Sequence, residues 1–218
     1  MNLYPSILVA SIDKYQDQLA LIMNSQVIKV IQVDVIDGYF VDNITLTPLD
    51  LVNINHGELE IDFHLMTEEP MDYVQELISV KDQLPIRAVI SQVEKMSSLQ
   101  SYLQEVKAQG WKTGLSLDLY TPVSSIDEDC WENLDIVQLM TIKSGFQGQK
   151  FNHQTLEKIT EIRRRAGSEI KIIIDGGVKI DQLSLLKKNK VTGVVVGSGF
   201  WQADDPVAAI QQYSQLMS

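Results

Sequence analysis

The chain has 218 residues, 44% hydrophobic and 22% charged, with 18 Lys+Arg against 29 Asp+Glu for a net charge of −11. That length supports one sizeable core, and the composition excludes a disordered or low-complexity chain. The negative balance excludes the basic footprint of sequence-independent nucleic-acid binding, yet leaves a small anionic ligand open, because backbone N–H groups can hold a phosphate without lysine.

The N-terminal MNLYPSILVASIDKY has a short apolar run, no basic residues ahead of it and Asp13 directly after it, so it does not read as a signal peptide. No run approaches the roughly 18 apolar residues of a membrane span. Cys130 is the only cysteine, which rules out an intramolecular disulfide framework and fits a reducing compartment. Its acidic surroundings point to a packing residue, and the chain is expected to be cytoplasmic.

Taken in order, apolar runs of strand length recur at Ser6–Ala10, Val30–Val35, Leu59–Met66, Arg87–Ser91, Thr113–Leu117, Ile136–Met140, Lys171–Ile174 and Gly193–Val196. They are continuous rather than alternating, as expected of strands covered on both faces in a parallel sheet. Helical spacing separates them: Met96, Leu99, Leu103 and Val106 precede Gly110, and Leu156, Ile159 and Ile162 precede Gly167. A last helix starts with Asp205 as N-cap and Pro206 at its first position. Eight strands alternating with helices predict a single TIM (β/α)8 barrel domain over residues 1–218, with a doubly wound open sheet as the alternative. Functional-looking residues that follow many different strands favour the barrel, which gathers strand C-termini into one mouth.

The second strand carries Gln32 and Asp34, which share a face because side chains alternate along a strand. A carboxylate there is costly to bury without a metal, a partner or a chemical task. His64 in IDFHLM and Asp175 in KIIIDGG are further polar groups on apolar strands. Together Asp34, His64 and Asp175 offer oxygen and nitrogen donors for Zn²⁺, Mn²⁺ or Fe²⁺, whereas singly each is equally a hydrogen-bonded core or turn residue. Glycine marks the late loops at Gly145-Phe146-Gln147-Gly148, Gly176-Gly177 and Gly197-Ser198-Gly199. Three such loops converging at one mouth would present N–H groups to a phosphate.

The pieces PSILVAS, VDVIDGYFVDN, DFHLM, MTIKSGFQGQKF, IDGGV and VVVGS, in this order and spacing, resemble the signatures of the ribulose-phosphate 3-epimerase family. The resemblance implies a ribulose-phosphate-binding barrel that epimerises D-ribulose 5-phosphate to D-xylulose 5-phosphate, with Asp34 and Asp175 as acid and base. It implies a divalent metal held by Asp34, His64 and Asp175, and a homo-oligomer. It also implies a substrate site of Ser6, His64, Met66, Met140, Gly145, Phe146, Gln147, Gly148, Gly176, Gly177, Gly197 and Ser198. Without it, both methionines would read as core fillers.

The chain departs from the family at Gln32, where the family has a metal-ligating histidine, and at Ile36, which stands for a methionine. Lys143-Ser144 stands for Asn-Pro, Gln147 for glycine and Asp118 for asparagine, and VISQVE has glutamine where histidine is common. A glutamine oxygen is a weaker donor than imidazole, so the metal is expected to be weakened, or absent if Gln32 does not ligate. Three readings follow: an epimerase with an altered metal site, an epimerase for another ketose phosphate such as allulose 6-phosphate, or a sugar-phosphate-binding or regulatory paralogue with weak turnover. An orotidine-phosphate-decarboxylase-like site is disfavoured, because Asp34 to Asp37 lacks the lysine of an Asp-x-Lys-x-x-Asp strand.

Overall fold

The β-branched runs form eight strands in the computed structural model, which describes residues 1–217. They are β1 (Asn2–Ile7), β2 (Val30–Ile36), β3 (Glu60–Met66), β4 (Ile86–Gln92), β5 (Lys112–Leu117), β6 (Ile136–Met140), β7 (Lys171–Asp175) and β8 (Gly193–Val196). Each pairs in parallel with its successor, and β1 closes on β8 from Asn2↔Gly193 to Pro5↔Val196. The closed order β1 to β8 is the expected barrel. The open sheet is excluded, since it would leave two unpaired edges.

Helices α1 (Ile12–Ser25), α2 (Pro70–Ser79), α3 (Leu99–Ala108), α4 (Glu157–Ala166), α5 (Leu183–Lys188), α6 (Ser198–Trp201) and α7 (Pro206–Met217) lie between or after the strands. In α1, Tyr15, Leu19 and Ile22 recur at helical spacing and are buried on one stripe. Helix α7 starts as expected: Pro206 needs no N–H partner in the first turn, and Asp205 accepts from the Ala208 N–H at 3.0 Å. Helix α3 begins later than its apolar spacing suggests. Ser98 caps it by accepting from the Ser101 N–H, which leaves Met96 in the preceding loop.

The first strand also corrects the sequence reading, because it runs from Asn2 to Ile7 rather than from Ser6 to Ala10. Pro5 has no N–H for the β2 side, so the first residues of β1 pair with β8 and only Ser6 and Ile7 pair with β2. Ser6 is thereby at the C-terminal end of the strand, at the barrel mouth.

Alternation divides the apolar residues between two regions. Ile31, Val33, Phe63, Leu65 and their counterparts face outward into the helix layer. Tyr4, Ala88, Ile90, Ile136, Ile173 and Val195 pack together inside the barrel and fill its lower half. The next inward positions toward the mouth are polar and buried, namely Ser6, Gln32, Asp34, His64, Gln92, Gln138 and Asp175. Among the described residues, no helix is long and apolar enough to cross a membrane.

Candidate active site

Register brings the polar residues to one level. Asp34 on β2 lies beside His64 on β3, and Met140 on β6 lies beside Asp175 on β7. The strand ends are held by the loops that follow. Thr45 Oγ1 accepts from the Ile36 N–H and donates to the Asp34 carbonyl, at 2.9 and 2.7 Å. Thr141, just past β6, donates through its N–H and its hydroxyl to the Asp175 carbonyl, at 2.8 and 3.0 Å. Both carboxylates therefore stand on fixed backbone.

Asp34 Oδ2 accepts from Ser6 Oγ at 2.5 Å, and Asp34 Oδ1 lies 2.9 Å from His64 Nδ1. One amide nitrogen joins the two acids: Gln32 Nε2 donates to Asp34 Oδ1 at 2.9 Å and to Asp175 Oδ2 at 2.8 Å. Gln138 Nε2 donates to the same Asp175 oxygen at 2.8 Å. The structure thus gathers Ser6, Gln32, Asp34, His64 and Asp175, all singled out in the sequence, and adds Gln138, which was not. A lone polar residue inside the apolar run IVQLM was the available signal, the same one that marked Asp34.

The far edge of His64 is wired to several of the departures from the family pattern. With both ends of its amide satisfied, Gln92 places Oε1 3.2 Å from His64 Nε2 and Nε2 2.9 Å from Glu94 Oε2. His64 then carries a proton on Nε2, and its Nδ1 faces the carboxylates. Ser144 donates through Oγ to Gln92 Oε1 at 3.1 Å and through its N–H to Asp118 Oδ1 at 3.1 Å, so the departures Gln92, Ser144 and Asp118 form one chain. Lys143 is outside it. Its exposed side chain borders an outer groove with Val41 and Phe146.

Burial pushes the Asp175 carboxyl up, the Asp34 charge adds to this, and His64 and Gln32 pull it back, leaving it at about 6. Burial alone would push His64 down, but the hydrogen bond and charge of Asp34, with Asp175 and Glu94, outweigh it and raise the imidazole. The site therefore holds a carboxyl, Asp175, raised toward neutral pH, the range in which acid/base catalysis works.

Donor atoms of Asp34, His64 and Asp175 lie within 4.8 Å of one another, close enough to share a cation. These three fit a divalent metal. Gln32 fits only if its amide turns to present Oε1, because Nε2 now points at both carboxylates.

Above the acids a pocket is lined by Ser6, Asp34, Met66, Met140 and Asp175, and by all three glycine loops. Both methionines are buried against it, and Phe146 is half-exposed at the rim. Gly177 has φ +65°, and a Cβ there would lie 2.8 Å from the Gln149 carbonyl and the Phe151 nitrogen, so backbone packs directly on it. Gln147 reaches into the pocket over Gly197 and donates to Ser6 Oγ at 3.3 Å.

Residues 2–201 match the Ribulose-phosphate 3 epimerase family. The chain is 37% identical over 188 residues to ribulose-phosphate 3-epimerase of Bacillus subtilis (strain 168), covering 84% of each chain. It is 34% identical over 183 residues to the Escherichia coli (strain K12) enzyme of that name, covering 81% of this chain and 78% of that one. Among solved structures, 3-hexulose-6-phosphate synthase from Salmonella typhimurium aligns with a TM-score of 0.73 at 15% identity, covering 100% and 98% of the two chains. Orotidine 5'-monophosphate decarboxylase from Methanocaldococcus jannaschii aligns with a TM-score of 0.65 at 14% identity, with the same coverage. At such identities these structures speak for the barrel alone. The full-length family match and the two bacterial relatives, together with the order of the motifs around the carboxylates, make the chain a member of the ribulose-phosphate 3-epimerase family.

Proposed function

We propose that the protein interconverts D-ribulose 5-phosphate and D-xylulose 5-phosphate by proton transfer at C3. The observation that carries this reading is the pair of carboxylates, Asp34 and Asp175, bridged by one amide nitrogen at 2.9 and 2.8 Å in the mouth where the glycine loops converge. The C3 proton is acidified by the neighbouring C2 carbonyl, and its removal gives a planar enediolate. Inversion requires an acid and a base on opposite faces of that plane. Asp34 on β2 and Asp175 on β7 come from strands separated by β1 and β8, which suits one group to each face. One carboxylate takes the proton, the other returns one from the far side, and the reverse reaction exchanges their roles. Ser6 and Gln32 orient Asp34, and Gln32 also orients Asp175.

Asp34, His64 and Asp175 would hold a divalent cation, Zn²⁺, Mn²⁺ or Fe²⁺, with the turned Gln32 amide oxygen as fourth donor. When bound, such a cation supplies Lewis acidity to the developing oxyanion. The phosphate is held by backbone N–H groups of Gly145–Gly148, Gly176, Gly177, Gly197 and Ser198, with Met66 and Met140 against the carbon chain. The protein works in the cytoplasm as a homo-oligomer, which light scattering would test.

The test is incubation with D-ribulose 5-phosphate in D₂O, with and without Mn²⁺, Fe²⁺ or Zn²⁺. Deuterium at C3 is expected, and Asp175→Asn should abolish it while retaining phosphate-ligand binding. No C3 deuterium under any condition overturns the reading. Gln147 favours a second substrate, since its amide changes the pocket beside Ser6 and Gly197. Faster exchange into allulose 6-phosphate would assign the protein to that ketose.

A further inference from the structure

The inner face of β6 presents Ile136, Gln138 and Met140 in turn, and Gln138 is wholly buried. A buried amide needs partners, and this one has them at one end only. Its Nε2 lies 2.8 Å from Asp175 Oδ2 and 3.2 Å from His64 Nδ1, while its Oε1 has no hydrogen-bond partner among the described residues. The amide is thus turned wholly toward the acids.

Those two contacted atoms, 3.7 Å apart, are donor atoms of two of the three residues that could share a cation. Gln32 Nε2 covers the same Asp175 oxygen and Asp34 Oδ1, and Ser6 covers Asp34 Oδ2. Each of these carboxylate oxygens already has a neutral donor from the protein. A cation bound between Asp175 Oδ2 and His64 Nδ1, at metal–ligand distances of about 2.1 Å, would face the positive end of the Gln138 N–H dipoles. Asp34, His64, Asp175 and a turned Gln32 would complete a four-donor set without Gln138.

We propose that Gln138 is a positioning residue that competes with the cation. Its amide holds Asp175 beside His64 in the metal-free protein and weakens binding of divalent metals. The acid/base arrangement is then assembled by hydrogen bonds alone, and the metal becomes an addition rather than a requirement. This rests on the epimerase reading only in assigning the acids their task. The competition itself is a property of the donor cluster.

The test is titration of the metal-stripped full-length protein with Mn²⁺ and with Zn²⁺ by calorimetry, for wild type, Gln138→Leu and Gln138→Glu. Removing the N–H donors in Gln138→Leu should tighten both metals about tenfold or more, and Gln138→Glu, which replaces donors by acceptor oxygens, should tighten them further. Unchanged or weaker binding by a natively folded Gln138→Leu overturns the proposal, weaker binding marking Gln138 as a ligand instead. Gln138→Met keeps the volume on an unbranched chain and serves if the leucine variant does not fold. In chelator, wild type should keep C3 exchange that Gln138→Leu loses and Mn²⁺ restores. Equal exchange by both in chelator, in a protein that does exchange with Mn²⁺, also overturns it. If the protein exchanges no C3 proton under any condition, the epimerase reading fails, whereas the affinity measurement still decides the competition.

Discussion

Replacing Gln32 by histidine separates the two jobs that its side chain performs. Four ligands about 2.1 Å from a metal in a tetrahedron stand about 3.4 Å apart. Gln32 Nε2 is 2.9, 2.8 and 3.4 Å from Asp34 Oδ1, Asp175 Oδ2 and His64 Nδ1, so the end of this side chain already occupies the fourth corner. An imidazole nitrogen at that corner exchanges a weak amide donor for a strong one. Gln32→His is therefore expected to tighten Zn²⁺ by at least tenfold to a hundredfold, or about 1.4 to 2.7 kcal/mol. The metal-free protein should suffer in return. Two hydrogen bonds to carboxylates are lost, each worth about 1.5 to 3 kcal/mol, so a net loss of about 3 kcal/mol is expected after partial replacement by the ring N–H. In a chain of this length that lowers Tm by about 6 to 12 °C. Competition against a chromophoric chelator and thermal unfolding with and without EDTA measure the two effects. Unchanged zinc affinity together with an unchanged metal-free Tm would refute both assignments of Gln32.

The raised Asp175 carboxyl predicts the pH dependence of the metal-free protein. C3 exchange should fall as pH drops through about 6, and saturating Mn²⁺ should move that midpoint down, because a cation favours the ionised form; a midpoint indifferent to metal would contradict the shared site. The sign for stability is opposite. The folded carboxyl binds its proton more tightly than the unfolded one, so its contribution is lost as pH rises through about 6, as denaturant melts at pH 5 and 8 would show. Gly177→Ala, with φ +65° and backbone atoms 2.8 Å from the new methyl, should weaken inorganic phosphate or sugar-phosphate binding by about tenfold or more without moving the acids; unaltered binding would remove this loop from the phosphate site. Arg87→Leu should destabilise the fold by about 3 to 5 kcal/mol, because Arg87 Nε donates to the buried Asp62 Oδ1 at 2.8 Å in the lower barrel; near-native Tm would show that the aspartate is cheaply neutralised.

The legible part of the fold was the part encoded by local pattern. Val- and Ile-rich runs, helical spacing and caps such as Asp205-Pro206 report on a residue's immediate neighbours, and they located the strands and three of the helices, α3, α4 and α7. Where a partner strand decides, the pattern misled. Pro5 sits within β1 because β8 supplies its pairing on the other side. The carboxylates and His64 were conspicuous because charge and imidazole are costly inside apolar strands. Gln138 is neutral and sits amid IVQLM, so its cost is smaller and its signal fainter.

By itself the sequence indicated eight strands, favoured a barrel over an open sheet, and singled out Asp34 and Asp175 with His64 between them in chain order. It also marked Gln32, Gln92, Ser144 and Asp118 as departures. Only the tertiary structure decided that Gln32 spans both acids, that Gln138 joins it, and that Gln92, Ser144 and Asp118 form one chain behind His64. Hydrogen bonds depend on which atoms meet at about 3 Å. That is set by register and closure between strands far apart in the chain, which no local pattern records.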